Sequence, residues 1–253
     1  MNAAIEFRGV SIASPQGREL LHDVSLALEE GTITAVLGRS GSGKSTLLRS
    51  VNRMVEAVSG DVLVLGERVR DYDVIALRRN IGYVIQETGL FPHFNVERNV
   101  GLTLEVAGRP RKERLRRSRD LMLMVGLRPV EFARRFPHQL SGGQRQRVGL
   151  ARALAGAPSI LLMDEPFGAL DPLTRAEMQD MLRALLARLN KTVLLVTHDL
   201  DEALYLGDRI VLLSDGRVIA NLAPEEFLRS KQPEIEAYVK AFHRGVGQNE
   251  RPR

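Results

Sequence analysis

The feature that most constrains this 253-residue chain is the run Gly38-Arg39-Ser40-Gly41-Ser42-Gly43-Lys44-Ser45-Thr46. Gly38, Gly41 and Gly43 let the backbone curl, and a curl of this spacing works only with a strand leading in and a helix leading out. Both flanks are present: residues 32–37 read as a buried strand and residues 44–55 as the helix that follows. The amides of the loop and of the helix start then converge on one point, which makes a cradle for phosphate. Lys44 adds a point charge for the β and γ phosphates of a nucleotide such as ATP, and Ser45 is suited to bind Mg²⁺.

Further short apolar runs at 81–85, 159–163, 192–197 and 209–213 alternate with amphipathic helical stretches. Strands so continuously apolar belong in a mostly parallel sheet covered on both faces, so the expected class is α/β. From 89 to 157 the pattern turns helical and more charged, which predicts a helical subdomain inserted into a core made of residues 1–88 and 158–222. Two short helices are expected after 223, with Gly245 to Arg253 as a polar, disordered tail. No apolar run approaches the roughly 20 residues that span a bilayer. The first residues carry no basic-then-apolar leader and there is no cysteine, so the expected location is cytoplasmic.

A formal net charge of +5 admits nucleotide, anionic lipid or nucleic acid as partners. The densest basic run, Arg109 to Arg119, has no interleaved aromatic on which bases would stack. It reads as the solvated face of a helix whose apolar side carries Leu115, Leu121, Met122 and Val125, so nucleic acid is not an expected partner.

A metal-bound phosphate needs an acid at the end of another buried strand, and Ile160-Leu-Leu-Met-Asp164-Glu165-Pro166 supplies one. Asp164 fits the metal-orienting role, and Glu165 fits the general base that activates water. A second phosphate motif lies in Leu140-Ser141-Gly142-Gly143-Gln144-Arg145-Gln-Arg147. Here Ser141 stands at an N-cap, Gly142 and Gly143 allow close approach, and the helix offers its positive end, with Arg145 and Arg147 enlarging the field.

The Ser-Gly-Gly-Gln run resembles the signature of ABC ATPases, P-loop NTPases in which the signature of one subunit closes over ATP held in a partner's cradle. The resemblance runs from about residue 5 to 242. It implies an N-terminal antiparallel β part beside the parallel core, and a second copy of the same or a similar subunit as partner. It also implies that Gln86 senses γ phosphate and Mg²⁺, and that His198 contacts γ phosphate and holds the attacking water. Asp171, in Gly168-Ala-Leu-Asp171, would pass information between the two sites. Asp171-Pro172 reads besides as the cap and first residue of a helix carrying Met178, Met181, Leu182, Leu185 and Leu189 inward. The apolar stretch near residues 86–100, including Gly89-Leu-Phe-Pro-His-Phe-Asn-Val96, corresponds to the family's docking region for integral membrane permease subunits. Such docking would attach the chain to the inner face of the cell membrane, where a substrate-binding protein acts through the permease.

The segment Asp164-Glu-Pro-Phe-Gly-Ala-Leu-Asp171 is similar to the importer form. Val51-Asn52-Arg53, Ile81-Gly-Tyr-Val-Ile-Gln86 and Gly89-Leu-Phe-Pro-His93 look like the subunits for glycine betaine, choline, carnitine and related osmoprotectants. Polyamine, sulfate or amino-acid importers are the alternative. Soluble ABC ATPases of translation or repair are remote, since the chain carries one cassette and no long coiled coil. Two departures stand out. Ser14 and Pro15 occupy the stretch where the family places an adenine-stacking aromatic, and Phe7 is the only early aromatic, which predicts loose base selectivity. The chain is also too short to hold the paired regulatory repeats that many osmoprotectant relatives carry.

Overall fold

The computed structural model describes residues 3–86 and 88–249, with side chains as far as Phe242. In chain order the elements are β1 (Ala3–Ala13), β2 (Glu19–Glu29), β3 (Ile33–Leu37), α1 (Lys44–Val51), β4 (Ser59–Val64), β5 (Glu67–Arg68), α2 (Val74–Asn80) and β6 (Ile81–Val84). Helices follow: α3 (Val96–Val106), α4 (Arg111–Met124), α5 (Pro129–Phe132), a short 3₁₀ turn at Pro137–Gln139, and α6 (Gly142–Ala153). The chain then returns to the sheet with β7 (Ile160–Asp164), α7 (Pro172–Leu189), β8 (Thr192–Val196), α8 (Leu200–Leu206), β9 (Arg209–Ser214), β10 (Arg217–Leu222), α9 (Pro224–Arg229) and α10 (Pro233–Asn249).

The strands form two sheets. One, in the order β2-β1-β4-β5, is antiparallel, as expected for the N-terminal part. The other, in the order β10-β9-β3-β8-β7-β6, is parallel apart from the edge strand β10. All five residues of β7 and of β8 are buried, because both faces of this sheet are covered. The period of two then sorts the side chains. Val36, Leu162 and Leu194 pack with α1 and the antiparallel sheet, whereas Leu37, Leu161, Met163 and Leu195 join the core formed with the helices between β6 and β7 and with α7.

Among the described residues only helices and turns lie between 89 and 157. Leu121 and Met122 of α4 and Val125 at its C-terminal cap are buried as expected, Leu115 is half-buried, and the basic face pairs with acids, Arg114 with Glu105 and Arg119 with Glu97. The helix after the cradle ends at Val51 rather than at 55, because Asn52 leaves helical geometry and Arg53 takes a left-handed φ of 55°. The last helix is not short. Its stripe of Ile235, Tyr238, Val239 and Phe242, at i, i+3, i+4 and i+7, packs on the core, and the helical backbone continues to Asn249 through residues expected as tail. Residues 250–253 lie outside the described residues.

Phe227 of α9 is fully buried in that core. Phe227→Ala is expected to cost about 3–5 kcal/mol of stability, read as a shift of the urea midpoint at constant slope; a negligible shift would separate α9 from the cooperative core.

Candidate functional site

Parallel pairing brings four strand ends to one edge of the sheet. Val36 of β3 pairs with Val196 of β8, Val196 with Asp164 of β7, and Met163 of β7 with Val84 of β6. The cradle, His198, the two acids and Gln86 therefore leave adjacent strands at their carboxyl ends, where open α/β sheets bind ligands.

In the cradle, Gly41 and Gly43 have φ of +79° and +102°, which glycine adopts without strain. Gly38 is required sterically: a Cβ there would lie 2.3 Å from the Leu213 carbonyl oxygen and 2.5 Å from Ser42 Oγ. Arg39, Ser40 and Gly41 form the exposed lip, and Thr46 is half-buried in the first turn of α1. Lys44 is buried and donates to the carbonyls of Gly38 at 2.8 Å and Arg39 at 3.0 Å. Burial pushes its ammonium pKa down, while Glu165 and Asp164 pull it back up. Among the described residues Ser42 Oγ is buried without a hydrogen-bond partner. A cation held by carbonyls and an unsatisfied hydroxyl, both within a loop of converging amides, fit the phosphates of a nucleotide.

Asp164, at the buried end of β7, accepts from Ser45 Oγ at 2.9 Å through Oδ1 and faces Arg49 at 3.3 Å through Oδ2. Hydroxyl and carboxylate oxygens so paired suit Mg²⁺. Glu165 takes a left-handed φ of 46°, and its N–H donates to the Val196 carbonyl at 2.9 Å. That turn aims the carboxylate at the site: Oε2 lies 3.2 Å from His198 Nδ1 and 3.4 Å from Gln86 Nε2. Residues drawn from four separate loops of the sequence thus meet here.

The signature forms a second, separate assembly. Ser141 Oγ accepts from the Gln144 N–H at 3.3 Å and Gln144 Oε1 accepts from the Ser141 N–H at 3.0 Å, a reciprocal cap on α6. Gly142 packs near Leu170, and a Cβ on Gly143 would lie 2.5 Å from Thr174 Cγ2, so the start of α6 sits against the start of α7. There Asp171 caps α7 by accepting from the Thr174 N–H at 3.1 Å, and bonds from Thr174 hold its carboxyl below the usual range. Among the described residues no hydrogen bond joins Ser141–Gln144 to the cradle. Of the two arginines expected to enlarge the signature's field, Arg145 donates to the Leu140 carbonyl at 2.7 Å beside the cap. Arg147 turns away to the Val125 carbonyl at 2.9 Å, closing the end of α4.

Ser14 lies in the turn between β1 and β2, its N–H donating to the Arg18 carbonyl, and Phe7 is buried.

Sequence reading missed the polar network behind His198. Arg175 of α7 donates to Asp199 Oδ2 at 3.2 Å and to the Leu170 carbonyl at 3.3 Å, joining the Asp171 loop to the His198 loop. Thr197 Oγ1 accepts from the Asp199 N–H at 3.0 Å and donates to Glu202 Oε2 at 3.0 Å. Asp199-x-x-Glu202 reads as a simple helix cap, and nothing in that spacing signals that the Glu202 carboxyl turns inward. Burial pushes this carboxyl up from 4.5 to about 8, with the Thr197 hydrogen bond opposing.

The folded protein therefore binds more protons than the unfolded chain between those values, and this group's contribution to stability falls as pH rises through the window. Glu202→Gln should flatten the decline of melting temperature from about pH 5 to 8. A slope equal to that of the parent protein would contradict a protonated, buried Glu202.

The comparisons with known proteins agree with this geometry. The ABC transporter family matches residues 21–168. Over 236 residues the chain is 41% identical to the choline transport ATP-binding protein OpuBA of Bacillus subtilis, covering 93% of this chain and 62% of that protein. It is 45% identical over 234 residues to the osmoprotectant import ATP-binding protein OsmV of Salmonella typhimurium, covering 92% and 60%. The chain thus spans about three fifths of the length of these relatives. The ATP-binding cassette MJ0796, solved as a post-hydrolysis dimer with ADP and Pi, aligns with a TM-score of 0.78 at 35% identity over 87% of this chain and 98% of that one. cbiO1 of Clostridium perfringens, part of the ABC transporter complex cbiONQ, aligns with a TM-score of 0.83 at 26% identity over 98% and 100%. Cradle, acid pair, capped signature and matching cassettes lead to one conclusion: the chain belongs to the ABC transporter family, as a nucleotide-binding cassette of α/β fold.

Proposed function

We propose that the chain is the ATP-binding and ATP-hydrolysing subunit of a membrane importer for quaternary ammonium osmoprotectants such as glycine betaine or choline. The observation that carries the enzymatic part is the Glu165 carboxylate, aimed between Gln86 and His198 at the mouth of the cradle. Lys44 and the loop amides from Gly38 to Thr46 hold the β and γ phosphates. Ser45 and Asp164, with Gln86 beside them, would hold Mg²⁺, which when bound offsets phosphate charge. Glu165 takes the proton from the attacking water. His198, on the same Oε2, orients both the base and the water.

The second half of the site is the signature of another copy. Ser141, exposed, with Gly142 and Gln144 half-buried and Gly143 buried, forms a capped helix start whose positive end suits the γ phosphate of a partner's ATP. The dimeric state of MJ0796 supports this arrangement. Asp171, packed beside the signature and joined through Arg175 to the His198 loop, links the two sites.

The permease side is read from residues 88–100. Buried Asn99 accepts from the Phe91 N–H at 2.8 Å and donates to the carbonyls of Phe91, Phe94 and Asn95. Arg152 donates to the Thr88 and Gly89 carbonyls, each at 2.7 Å. These bonds fix a stacked pair, Phe91 and Phe94, with ring centroids 5.3 Å apart and Phe91 exposed. A rigid aromatic edge next to Gln86 suits a cytoplasmic helix of a permease, which would hold the chain at the inner face of the membrane. No described helix is long and apolar enough to cross a membrane itself. The osmoprotectant class rests on the relatives' names, and a substrate-binding protein would deliver the solute to the permease.

Glu165→Gln should lower turnover by about 10²- to 10⁴-fold and leave ATP-bound dimers that persist in size-exclusion chromatography with light scattering. A variant that stays monomeric at saturating Mg-ATP would count against the closure scheme. Cells carrying this variant as their only copy should lose uptake of labelled glycine betaine and choline at raised osmolarity. Unchanged uptake would move the substrate to polyamines, amino acids or oxyanions.

A further inference from the structure

His198 is mostly exposed, its side chain 61% open, and its position therefore depends on its backbone. The peptide that follows it is held at both ends. On one side, the Asp199 N–H donates to Thr197 Oγ1 at 3.0 Å. On the other, the His198 carbonyl accepts from the hydroxyl of Tyr238 at 3.1 Å, a residue 40 positions further along the chain on α10. Burial pushes the Tyr238 phenol up to about 12, so it remains a neutral donor at any working pH. The ring is anchored because α10 is: Ile235 is fully buried and Val239 packs on the same core.

We propose that Tyr238 is a positioning residue for ATP hydrolysis: by donating to the His198 carbonyl, it holds in place the loop whose imidazole orients Glu165. The loop that leaves β8 is thereby tied to α10 by one hydroxyl supplied from outside the sheet. Pinning both ends of the 198–199 peptide fixes the backbone from which the His198 imidazole projects. This rests on the reading of His198 as the residue that orients base and water. No contact of Tyr238 with nucleotide is required.

The test is steady-state ATPase kinetics of the full chain for Tyr238→Phe, Val239→Ala and His198→Ala, each rate taken at the same interval below that variant's melting midpoint. Tyr238→Phe removes one oxygen and keeps the ring. It should lower kcat about three- to tenfold, the range carried by one hydrogen bond, with KM for ATP unchanged. Val239→Ala loosens the same helix without touching the hydroxyl, and should lower the melting midpoint while keeping kcat. Full kcat in Tyr238→Phe, alongside a crippled His198→Ala, would overturn the role of the tyrosine alone. Equal losses of kcat in Tyr238→Phe and Val239→Ala would overturn it too, as generic loosening. Full turnover in His198→Ala would remove the histidine reading and this proposal with it.

Discussion

Everything this cassette does depends on the register of four parallel strands. Val36 beside Val196, Val196 beside Asp164, and Met163 beside Val84 make the carboxyl ends level, so that four loops open on one point. A slip of one residue in β7 would turn the Asp164 carboxylate to the opposite face of the sheet. The slip is prevented because β7 and β8 are buried on both sides, and every side chain of Ile160 to Met163 already has a place in one of two cores. Apolar packing thus fixes where the polar chemistry stands.

At that edge the structure tolerates arrangements that would be costly elsewhere. Lys44 is buried with carbonyl partners, Ser42 Oγ is unsatisfied, and Glu165 holds a left-handed backbone that a non-glycine residue rarely adopts. Each fits a ligand that carries negative charge and, as proposed for Glu165, a base aimed before that ligand arrives. The surrounding hydrogen bonds supply the stiffness: Glu165 N–H on Val196, Arg175 on Asp199, and Thr197 between Asp199 and Glu202.

What the sequence revealed and what it hid divide along chain distance. The cradle, the acid pair and the signature cap are contiguous residues whose spacing encodes a local shape. The capping of α6 by Ser141 and Gln144 is a three-residue relation, and it holds as read. The hidden contacts join residues far apart: Arg152 with Thr88 and Gly89, Tyr238 with His198, Arg175 with Asp199. Arginine and tyrosine side chains have no periodic signature, so their partners emerge only once the helices are packed. The long α10 is a different case. Helix was expected where the apolar stripe from Ile235 to Phe242 lies, whereas the polar residues from Gly245 suggested a tail, and there the helical backbone continues to Asn249.

The central claim is that the cradle and the signature of one chain serve two different nucleotides, so that hydrolysis needs two copies. Complementation tests it most directly: Lys44→Ala and Ser141→Arg chains, each inactive alone, are mixed and assayed for ATPase activity. A mixed dimer has one composite site with both its cradle and its signature intact, and the account predicts that activity returns on mixing. Activity that stays at the level of the separate variants at every mixing ratio would contradict it.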